Sequence, residues 1–366
     1  MPAITTVRPR SVRPALFLLA LAPAAPALAS WTFTDLHPPA ATAASVANHV
    51  QGGEQVGWAG IGTFRGGIWN NTAGSFNDLT PFAAGANASM LWGTHNGQQA
   101  GRVSFTNGVT WQAAVWNGTA ASYVNMHPGG WNESRANAVH NGQQAGWVQS
   151  GGTLHAAAWS GTAGSFVDLN PLGAFGSTAW ATHGGQQGGT ADTNAGFQRA
   201  ALWSGSAASY VDLTPAAASM GWVRGMAAGQ QVGDAFIGGV QHAALWSGTA
   251  ASFIDLHPAG AVSSYAWGVF GGYQVGTANI AGVDHAFLWN GTAASAIDLH
   301  AYVPANAIGS NARSVWVDGL GNITVVGEVQ DSNFISRAAM WQFTIPAPGG
   351  VLTLGALGLA GLRRRR

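Results

Sequence analysis

Three histidines recur at nearly equal intervals and are the sharpest candidates for chemistry in this chain. They are His95, His140 and His183, and each stands just before a two-residue turn. If the elements that carry them approach one axis, the three imidazoles could meet at the mouth of a channel. Three His side chains suit a transition-metal ion, so the sequence predicts a metal site here. The alternative is three solvent-exposed turn residues, and no other cofactor is expected.

A second candidate is an Asp followed two positions later by a His. The pairs are Asp35 with His37, Asp255 with His257, and Asp298 with His300. Each pair would share one face of a strand, so an acid-base or metal pair is conceivable. We favour a structural interpretation, in which Asp accepts hydrogen bonds of a turn. Outer strands of different repeats would lie too far apart to converge on one substrate.

Seven further polar residues occupy equivalent positions, and all of them can donate a hydrogen bond. They are Arg65, Gln112, His155, Arg199, His242, His285 and Arg337. Buried polar groups need partners, so a donor in every copy predicts one shared acceptor, either a backbone carbonyl or an Asp. Paired catalytic carboxylates, a G-x-S-x-G elbow, a P-loop and a Cys-His site are not evident, and the chain has no Cys. We therefore assign no catalytic and no cofactor-binding residue.

The charge distribution argues against a nucleic-acid partner. All 14 basic residues are Arg, and seven of them lie near the termini, at 8, 10, 13 and 363–366. The body between them keeps seven Arg and all 14 acids, a net charge of −7. A nucleic-acid-binding protein needs a basic stripe, and the body has none.

The candidate residues belong to a repeat with a period near 44 residues. An Asp-Leu element marks it at Asp35, Asp78, Asn125 (a variant, followed by Met), Asp168, Asp212, Asp255 and Asp298. Charged residues make up 8% of the chain and Gly contributes 53 of 366 residues, which indicates short strands joined by tight turns. Such a period predicts an array of one supersecondary unit.

Each repeat reads as four short strands, a to d. Strands a and b are separated by two-residue turns: Asn96-Gly97, Asn141-Gly142, Gly184-Gly185, Ala228-Gly229 and Gly271-Gly272. Asn-Gly and Gly-Gly between apolar runs are strong hairpin signals because both residues need a positive φ. Strand c ends in Trp in every copy, which predicts core packing rather than stacking on a carbohydrate.

The two ends of the array are complementary. Residues 31–38 form a strand d with no strand c before it, and residues 324–341 supply strands b and c with no d after them. Pairing the two ends would close a ring and remove its open edges. Six whole repeats and one split repeat predict an all-β fold, a closed seven-bladed β-propeller of four-stranded blades. An open β-solenoid is the alternative, although it needs capping ends rather than complementary halves.

Both termini predict sorting signals outside the propeller, which we place at 30–346. Residues 1–29 combine a basic region, an apolar core and an Ala27-Leu28-Ala29 cleavage site, as in a secretory signal peptide. At the other end, Pro346 and Pro348 precede an apolar run, and residues 347–366 finish in four Arg. That run is marginal for spanning a bilayer, and the Arg cluster would stay cytoplasmic. An ordinary C-terminal membrane anchor is the alternative to a processed tail.

The tail and the repeats each resemble a known family. The order of Pro-rich motif, apolar helix and Arg cluster resembles the PEP-CTERM sorting signal of Gram-negative bacteria, with Ala347 where that motif usually has Glu. This resemblance implies an exosortase-type processing enzyme and delivery to the cell surface or extracellular matrix. The string from His285 to Trp289 resembles the signature of the HAF family of probable extracellular repeats, over about 31–343. That family implies an exported repeat protein and no reaction.

Three functional hypotheses follow. The first is a non-enzymatic surface propeller that binds an extracellular glycan or protein ligand, and the second is a purely structural spacer in a matrix. The third is a secreted propeller enzyme acting on polysaccharide, which would need non-repeated polar residues at the channel. We favour binding or structure over catalysis.

Overall fold

Seven four-stranded antiparallel sheets make up nearly all the regular structure. The computed structural model describes residues 30–192 and 196–345. The predicted signal peptide (1–29) and the predicted tail (347–366) lie outside the described residues. Across the two described ranges, no helix is both long enough and apolar enough to cross a membrane. The prediction of a seven-bladed β-propeller is confirmed, and Ser30–Ile345 forms one compact unit.

The strands follow the predicted order a, b, c, d. The a strands, which line the central channel, are β2 (Ser45–Gln51), β6 (Ala88–His95), β10 (Glu133–His140), β14 (Gly176–His183), β18 (Ala218–Ala227), β22 (Ser263–Phe270) and β26 (Gly309–Val317). The b strands are β3 (Glu54–Ile61), β7 (Gln98–Ser104), β11 (Gln143–Ser150), β15 (Gln186–Asp192), β19 (Gln230–Ile237), β23 (Tyr273–Ile280) and β27 (Ile323–Gln330).

The outer half of each blade contains strands c and d. The c strands are β4 (Thr63–Trp69), β8 (Gln112–Trp116), β12 (Thr153–Trp159), β16 (Gln198–Trp203), β20 (Val240–Trp246), β24 (Val283–Trp289) and β28 (Ser336–Thr344). The d strands are β1 (Ser30–Asp35), β5 (Asn77–Asp78), β9 (Val124–Asn125), β13 (Val167–Asp168), β17 (Val211–Asp212), β21 (Ile254–Asp255) and β25 (Ile297–Asp298). Short 3₁₀ helices connect c to d at Ala73–Ser75, Ala120–Ser122, Ala163–Ser165, Ala207–Ser209, Ala250–Ser252 and Ala293–Ser295, and two more lie at Phe82–Ala84 and Leu299–Tyr302.

The turns between a and b have the predicted conformation. Asn96 and Gly97 have φ of 50° and 76°, and Asn141 and Gly142 have φ of 48° and 79°. Positive φ at both positions matches the right-handed twist of the flanking strands, so each turn aligns the last residue of a with the first residue of b.

The ring is closed by pairing the N-terminal strand with the C-terminal one. β1 pairs antiparallel with β28 from Ser30–Thr344 to Asp35–Ala339. The Arg337 Nη2 atom lies 2.7 Å from Asp35 Oδ2, and the N–H of Leu36 donates to the carbonyl of Ala338. The split repeat therefore completes the seventh blade, as predicted.

Buried Trp residues at the ends of the c strands form the centre of the core between blades. The seven are Trp69, Trp116, Trp159, Trp203, Trp246, Trp289 and Trp341, each at most 1% exposed. They pack with the Leu or Met that follows the repeated Asp (for example Leu169 at 0% exposure). The predicted role of these Trp residues in core packing is confirmed.

A serine in strand a links each blade to the preceding one. The Ser134 Oγ atom accepts a hydrogen bond from the backbone N–H of Ala113, in strand c of the blade before, at 2.8 Å. Equivalent bonds reach Ser45, Ser89, Ser177, Ser264 and Ser310. The seventh position is Gly221, and there the Thr214 hydroxyl accepts the N–H of Ala200 at 2.9 Å instead. One hydroxyl thus satisfies the same buried N–H in every blade.

Every a strand also contains a β-bulge at the same place, which the sequence analysis did not predict. The extra residue is Asn48, Trp92, Asn137, Trp180, Arg224, Trp267 or Arg313. A bulge redirects side chains and bends the strand. Because all seven bulges occur in the innermost strands, polar and aromatic side chains gather around the channel.

Candidate functional site

The predicted donors of strand c pair with the Asp of strand d on the outer side of each blade. His155, His242 and His285 place Nδ1 within 2.7–2.8 Å of Asp168, Asp255 and Asp298. Arg199 contacts Asp212 at 2.8 Å, Arg337 contacts Asp35 at 2.7 Å, and Arg65 lies 3.9 Å from Asp78. These contacts identify the shared acceptor as the strand-d Asp.

The variant repeat keeps the pairing but reverses its direction. Where strand d has Asn125 in place of Asp, its partner in strand c is the neutral Gln112, and the Asn125 Nδ2 group donates to the Gln112 Oε1 atom at 2.6 Å. Both partners are neutral, so the contact between strands c and d is retained without an ion pair, although Gln112 accepts here instead of donating.

The Asp-x-His pairs are parts of turns. In every repeat the Oδ1 atom of this Asp, or of Asn125, accepts the backbone N–H two residues later at 2.8 Å. The Nδ1 atoms of His37, His257 and His300 lie 2.7–2.8 Å from the linking Ser Oγ atoms. These Ser hydroxyls are buried and already accept a backbone N–H, so the groups are committed to structure, as we favoured.

The central channel is a concave site that combines polar and aromatic side chains. Its cavity has a volume of about 370 Å³, which is within the range of about 300–1,000 Å³ usual for small-molecule sites. Its lining includes Arg135, Arg224 and Arg313, together with four His and four Trp, and none of the described lining residues is Asp or Glu. Arginines and aromatic rings are thus concentrated in the channel of a body whose net charge is negative.

Two of the channel arginines have carboxylate partners outside the lining. Arg224 pairs with Asp234, whose side chain is fully buried, and Arg313 lies 2.8 Å from Glu328. Both guanidinium groups lie over the Trp267 ring, with Cζ 4.5 and 5.5 Å from its centroid. These ion pairs offset the cost of burying the two cations.

Arg135 has no such partner among the described residues. Its Nε–H donates to Asn137 Oδ1, and its Cζ lies 4.4 Å from the Trp92 ring and 5.2 Å from the Trp180 ring. Burial, and then the nearby charge of Arg102, lower the pKa of Arg135 to about 9. A cation with aromatic rings close by and no counterion leaves its remaining N–H groups for a ligand.

Arg102 provides a comparison within the same chain. It too makes no ion pair with a carboxylate among the described residues, and its Cζ lies 4.1 Å from the Trp111 ring and 5.0 Å from the Trp92 ring. Burial lowers its pKa to about 10, and the nearby charge of Glu133 opposes that shift. Arg102 does not line the channel, so only Arg135 presents an uncompensated charge there.

The three predicted metal-binding histidines do come together at one end of the channel. The ring centroids of His95 and His140 are 4.2 Å apart, and those of His140 and His183 are 4.0 Å apart. One nitrogen of each ring accepts a backbone N–H from the turn of the next blade: His95 from Asn141 (3.2 Å), His140 from Gly184 (3.4 Å) and His183 from Ala228 (3.4 Å). The three rings thus form a continuous row, which we call the histidine row.

The row does not fit a metal ion in this arrangement. In a metal-binding His, one ring nitrogen ligates the metal and the other donates its N–H to an acceptor. In the histidine row, one nitrogen of each ring accepts a hydrogen bond instead. The other nitrogen of the neutral ring therefore carries the proton. Within residues 30–192 and 196–345, no three or more His, Cys, Asp or Glu side chains are grouped to hold a metal. Metal binding by the row stays a prediction that these contacts oppose.

The row lies in an environment that favours neutral imidazole. Burial is the main cause of a lowered pKa for all three rings, and neighbouring imidazoles lower it further for His95 and His140. The pKa of His140, in the middle of the row, falls to about 4. At neutral pH the row therefore presents uncharged donors and acceptors to the channel.

Aligning the repeats by sequence alone pairs Gly321 of the seventh blade with the three histidines, and this alignment is wrong. Gly321 lies in the turn after β26. Counting from the bulge, the equivalent residue is Trp316, which lines the channel. The longer a–b connection of this blade, stabilised by Asp318 accepting from Asn322, displaced the alignment.

Sequence reasoning also missed Arg135 and the Trp residues around it. Arg135 lies two residues before the bulge in its strand, where the other blades have Val46, Met90, Thr178, Trp222, Tyr265 and Asn311. A partial signal did exist, since four body arginines lie outside the c-strand positions: Arg102, Arg135, Arg224 and Arg313. Without the bulge positions, nothing in the sequence directed it to the channel.

Comparisons with known proteins support the fold. No family model matches the chain, and no curated protein matches it. The propeller domain of the Trilobed protease from Pyrococcus furiosus, described as having an open velcro topology, is 10% identical with a TM-score of 0.53, over 82% of this chain and 96% of that one. This chain differs in closing its ring with β1 and β28.

Two further solved structures show the same likeness. An acylaminoacyl peptidase from Pyrococcus horikoshii is 10% identical with a TM-score of 0.52, over 84% of this chain and 52% of its own. TolB from Acinetobacter baumannii is 10% identical with a TM-score of 0.43, over 70% of this chain and 66% of its own. The chain therefore spans about half of the peptidase's length. At such identities the likeness to the two Pyrococcus proteins establishes the β-propeller fold and nothing finer.

Proposed function

We propose that this protein is exported and acts as a non-enzymatic binding module that takes its ligand into the central channel. The observation that carries the proposal is the composition of the channel: cations and aromatic rings line it, and none of the described residues of the lining carries a carboxylate. A preformed cavity with a few convergent polar groups is the usual form of a binding site.

The same lining argues against catalysis. General acid-base and glycosidase chemistry need positioned carboxylates or a comparable base. The described channel offers neutral imidazoles whose ring nitrogens bond to backbone N–H groups, and the Asp–His pairs of the outer strands are used in turns. A secreted enzyme acting on polysaccharide is the second candidate, and a matrix spacer without a ligand is the third.

The proposal includes export and surface retention because of the sequence features at the two ends of the chain. The basic, apolar and Ala-x-Ala order of residues 1–29 supports export. The tail at 347–366, with its four Arg, supports retention at the cell surface or release into the matrix by an exosortase-type processing enzyme.

One experiment tests export and binding together. The full chain is expressed in a Gram-negative host, and the mass of the exported product is measured; we expect it to begin at Ser30. The purified product is screened by calorimetry against small acids, sugars, short peptides and polysaccharides, with turnover of each polymer followed in parallel. Binding without turnover is expected.

A channel-blocking variant locates the binding. Ala138 lines the channel, so Ala138→Trp should fill part of the cavity and abolish binding while the protein still unfolds cooperatively. Turnover of a polymer would establish the enzyme instead, and no binding to any compound would leave the spacer. Binding that is unchanged in Ala138→Trp would move the site to the outer surface.

A further inference from the structure

Arg135 is exceptional among the arginines of the propeller. Five of the seven have a carboxylate partner: Arg65, Arg199, Arg224, Arg313 and Arg337. Arg102 and Arg135 have none among the described residues, and of these two only Arg135 lines the channel. Burying a cation without a counterion is costly, so its position in a cavity marks a functional site.

The surroundings of Arg135 orient its guanidinium for a ligand. The carboxamide of Asn137 takes the Nε–H and is itself held, because its Nδ2 group donates to the carbonyl of Ala179 at 2.7 Å. Trp92 and Trp180 lie within cation–π distance of the guanidinium. The Nη atoms make no hydrogen bond to another described residue, so four N–H groups remain for an acceptor.

Other unsatisfied polar groups lie on the same channel. The Nδ1 atom of His49 and the Nε atom of Arg313 are buried and have no hydrogen-bond partner among the described residues, and both residues line the cavity. Buried polar groups are normally satisfied. Both atoms are shielded from solvent, so they are unsatisfied polar groups beside the channel rather than contacts that a ligand reaches directly.

We propose that the channel binds a small carboxylate, with Arg135 holding the carboxylate group through its two Nη atoms. The inference rests on the proposed function and names the chemical class of its ligand. A planar guanidinium matches a carboxylate with two parallel N–H···O bonds. A cavity of about 370 Å³ admits a molecule the size of a sugar acid or an acylated amino acid, and Phe270 and Trp316 offer apolar surface to its remainder.

The test uses calorimetry on the purified full chain with two carboxylates from different sources. Glucuronate is compared with glucose, and N-acetylglycine with its amide, so each acid has a neutral control of nearly the same shape. Inorganic phosphate is titrated as a third anion. We expect at least one acid to bind and its neutral control to bind about tenfold more weakly or not at all, since the charged bidentate pair is lost.

Two substitutions assign the effect to Arg135. Arg135→Gln should weaken binding of the acid about tenfold or more, and Arg135→Lys, which keeps the charge but loses the fork, should have a smaller effect. Arg102→Gln is the matched control, because it removes an unpaired, buried cation beside the same Trp92 ring but outside the channel. It should leave the dissociation constant within about twofold, since Arg102 would act only through the charge it adds nearby.

The outcomes separate the inference from the proposed function. One outcome is that neutral compounds bind, that Ala138→Trp abolishes this binding and that Arg135→Gln leaves it unchanged. That outcome would overturn the carboxylate site and keep the channel-binding module. Phosphate binding as tight as that of either acid would replace it with a general oxyanion site. Absence of all binding would overturn both. Arg135→Gln removes a cation that burial disfavours, so loss of its fold would itself contradict the assignment.

Discussion

Burial and mutual proximity set the protonation of the histidine row. Neighbouring imidazoles about 4 Å apart cannot all become charged without repulsion, and partial burial already disfavours the cation. The rings remain neutral at neutral pH and receive N–H groups from the adjoining turns. The row therefore connects three blades at neutral pH, and acid should weaken those contacts.

The sign of the pH dependence follows from the lowered pKa values. In the unfolded chain His140 would take up a proton near its ordinary pKa of 6.5, whereas in the folded protein its pKa is about 4. Its contribution to stability is fully present above pH 6.5 and is lost as the pH falls from there through about 4. His95 and His183, with their own lowered pKa values, act in the same direction.

We expect His140→Asn to reduce the loss of stability in acid. Urea unfolding at about pH 7 and at about pH 4.5 gives the free energy of unfolding in each condition, and the difference between them should be smaller in the variant than in the parent. Gln51→Asn is the control, since Gln51 occupies the equivalent place in the first blade and does not titrate. An unchanged difference in His140→Asn would show that the row does not contribute to acid sensitivity.

At the scale of the element, a single hydroxyl accepts the same buried N–H of strand c in every blade. In six blades that hydroxyl belongs to a Ser of strand a, and in one it belongs to Thr214, because Gly221 has no side chain there. A Cβ added to Gly221 would lie 3.3 Å from the Thr214 hydroxyl, so the two arrangements occupy the same space. The buried N–H of strand c can therefore be satisfied by either of two hydroxyl groups, the Ser of strand a or the Thr after strand d.

This interchange predicts a rescue between two positions. Ser134→Gly should lower the free energy of unfolding by about 1–3 kcal/mol, because the buried N–H of Ala113 loses its acceptor, with a smaller backbone penalty added. Adding His127→Thr, which copies the arrangement at Thr214, should restore most of that loss. The free energies come from urea unfolding, with His127→Thr alone as the control. A double variant no more stable than Ser134→Gly would contradict the exchange.

Some features of the strands and turns could be predicted from the sequence, and others could not. The a–b turns were predictable because Asn-Gly and Gly-Gly supply the positive φ that the hairpin requires. The bulges were not, because residues as different as Asn48, Trp92 and Arg224 occupy them and no composition marks an extra residue. A shift of one position decides which side chains face the channel, so the lining could not be identified from the repeat alone.

At the scale of the whole molecule, closure depends on the first described strand. β1 covers the edge of β28 along six residue pairs, and Leu36 directly after it is fully buried. Burial of that one side chain contributes about 1.5–3 kcal/mol. An uncovered β28 would also present a free edge for pairing with another chain.

Removal of residues 31–36 should therefore open the ring. We expect a melting temperature lowered by several degrees or more and concentration-dependent aggregation, measured by calorimetry and light scattering. Arg337→Gln is the control, because its ion pair with Asp35 is 33% and 41% exposed and should contribute only about 0–1 kcal/mol. A deletion variant that melts like the parent would show that the other six blades hold the ring without this strand.

The sequence by itself determined the architecture. Seven in-phase copies, the Trp at the end of each c strand and two complementary half-repeats define the number of blades and the way they close, because each of these features depends on local periodicity and chain order. It also predicted that the c-strand donors share one acceptor, a backbone carbonyl or an Asp, since a donor in every copy requires one acceptor in every copy; the structure identified the Asp of strand d.

Only the tertiary structure decided the chemistry of the channel. Arg135, Trp92 and Trp180 come from three different repeats, and their approach depends on seven bulges and on the curvature of the ring. The structure also showed that the rings of the histidine row accept hydrogen bonds, because neighbouring turns place their N–H groups against them, while metal binding by the row stays a prediction. Periodicity shows which residues are equivalent, but distances across the axis depend on how the strands bend.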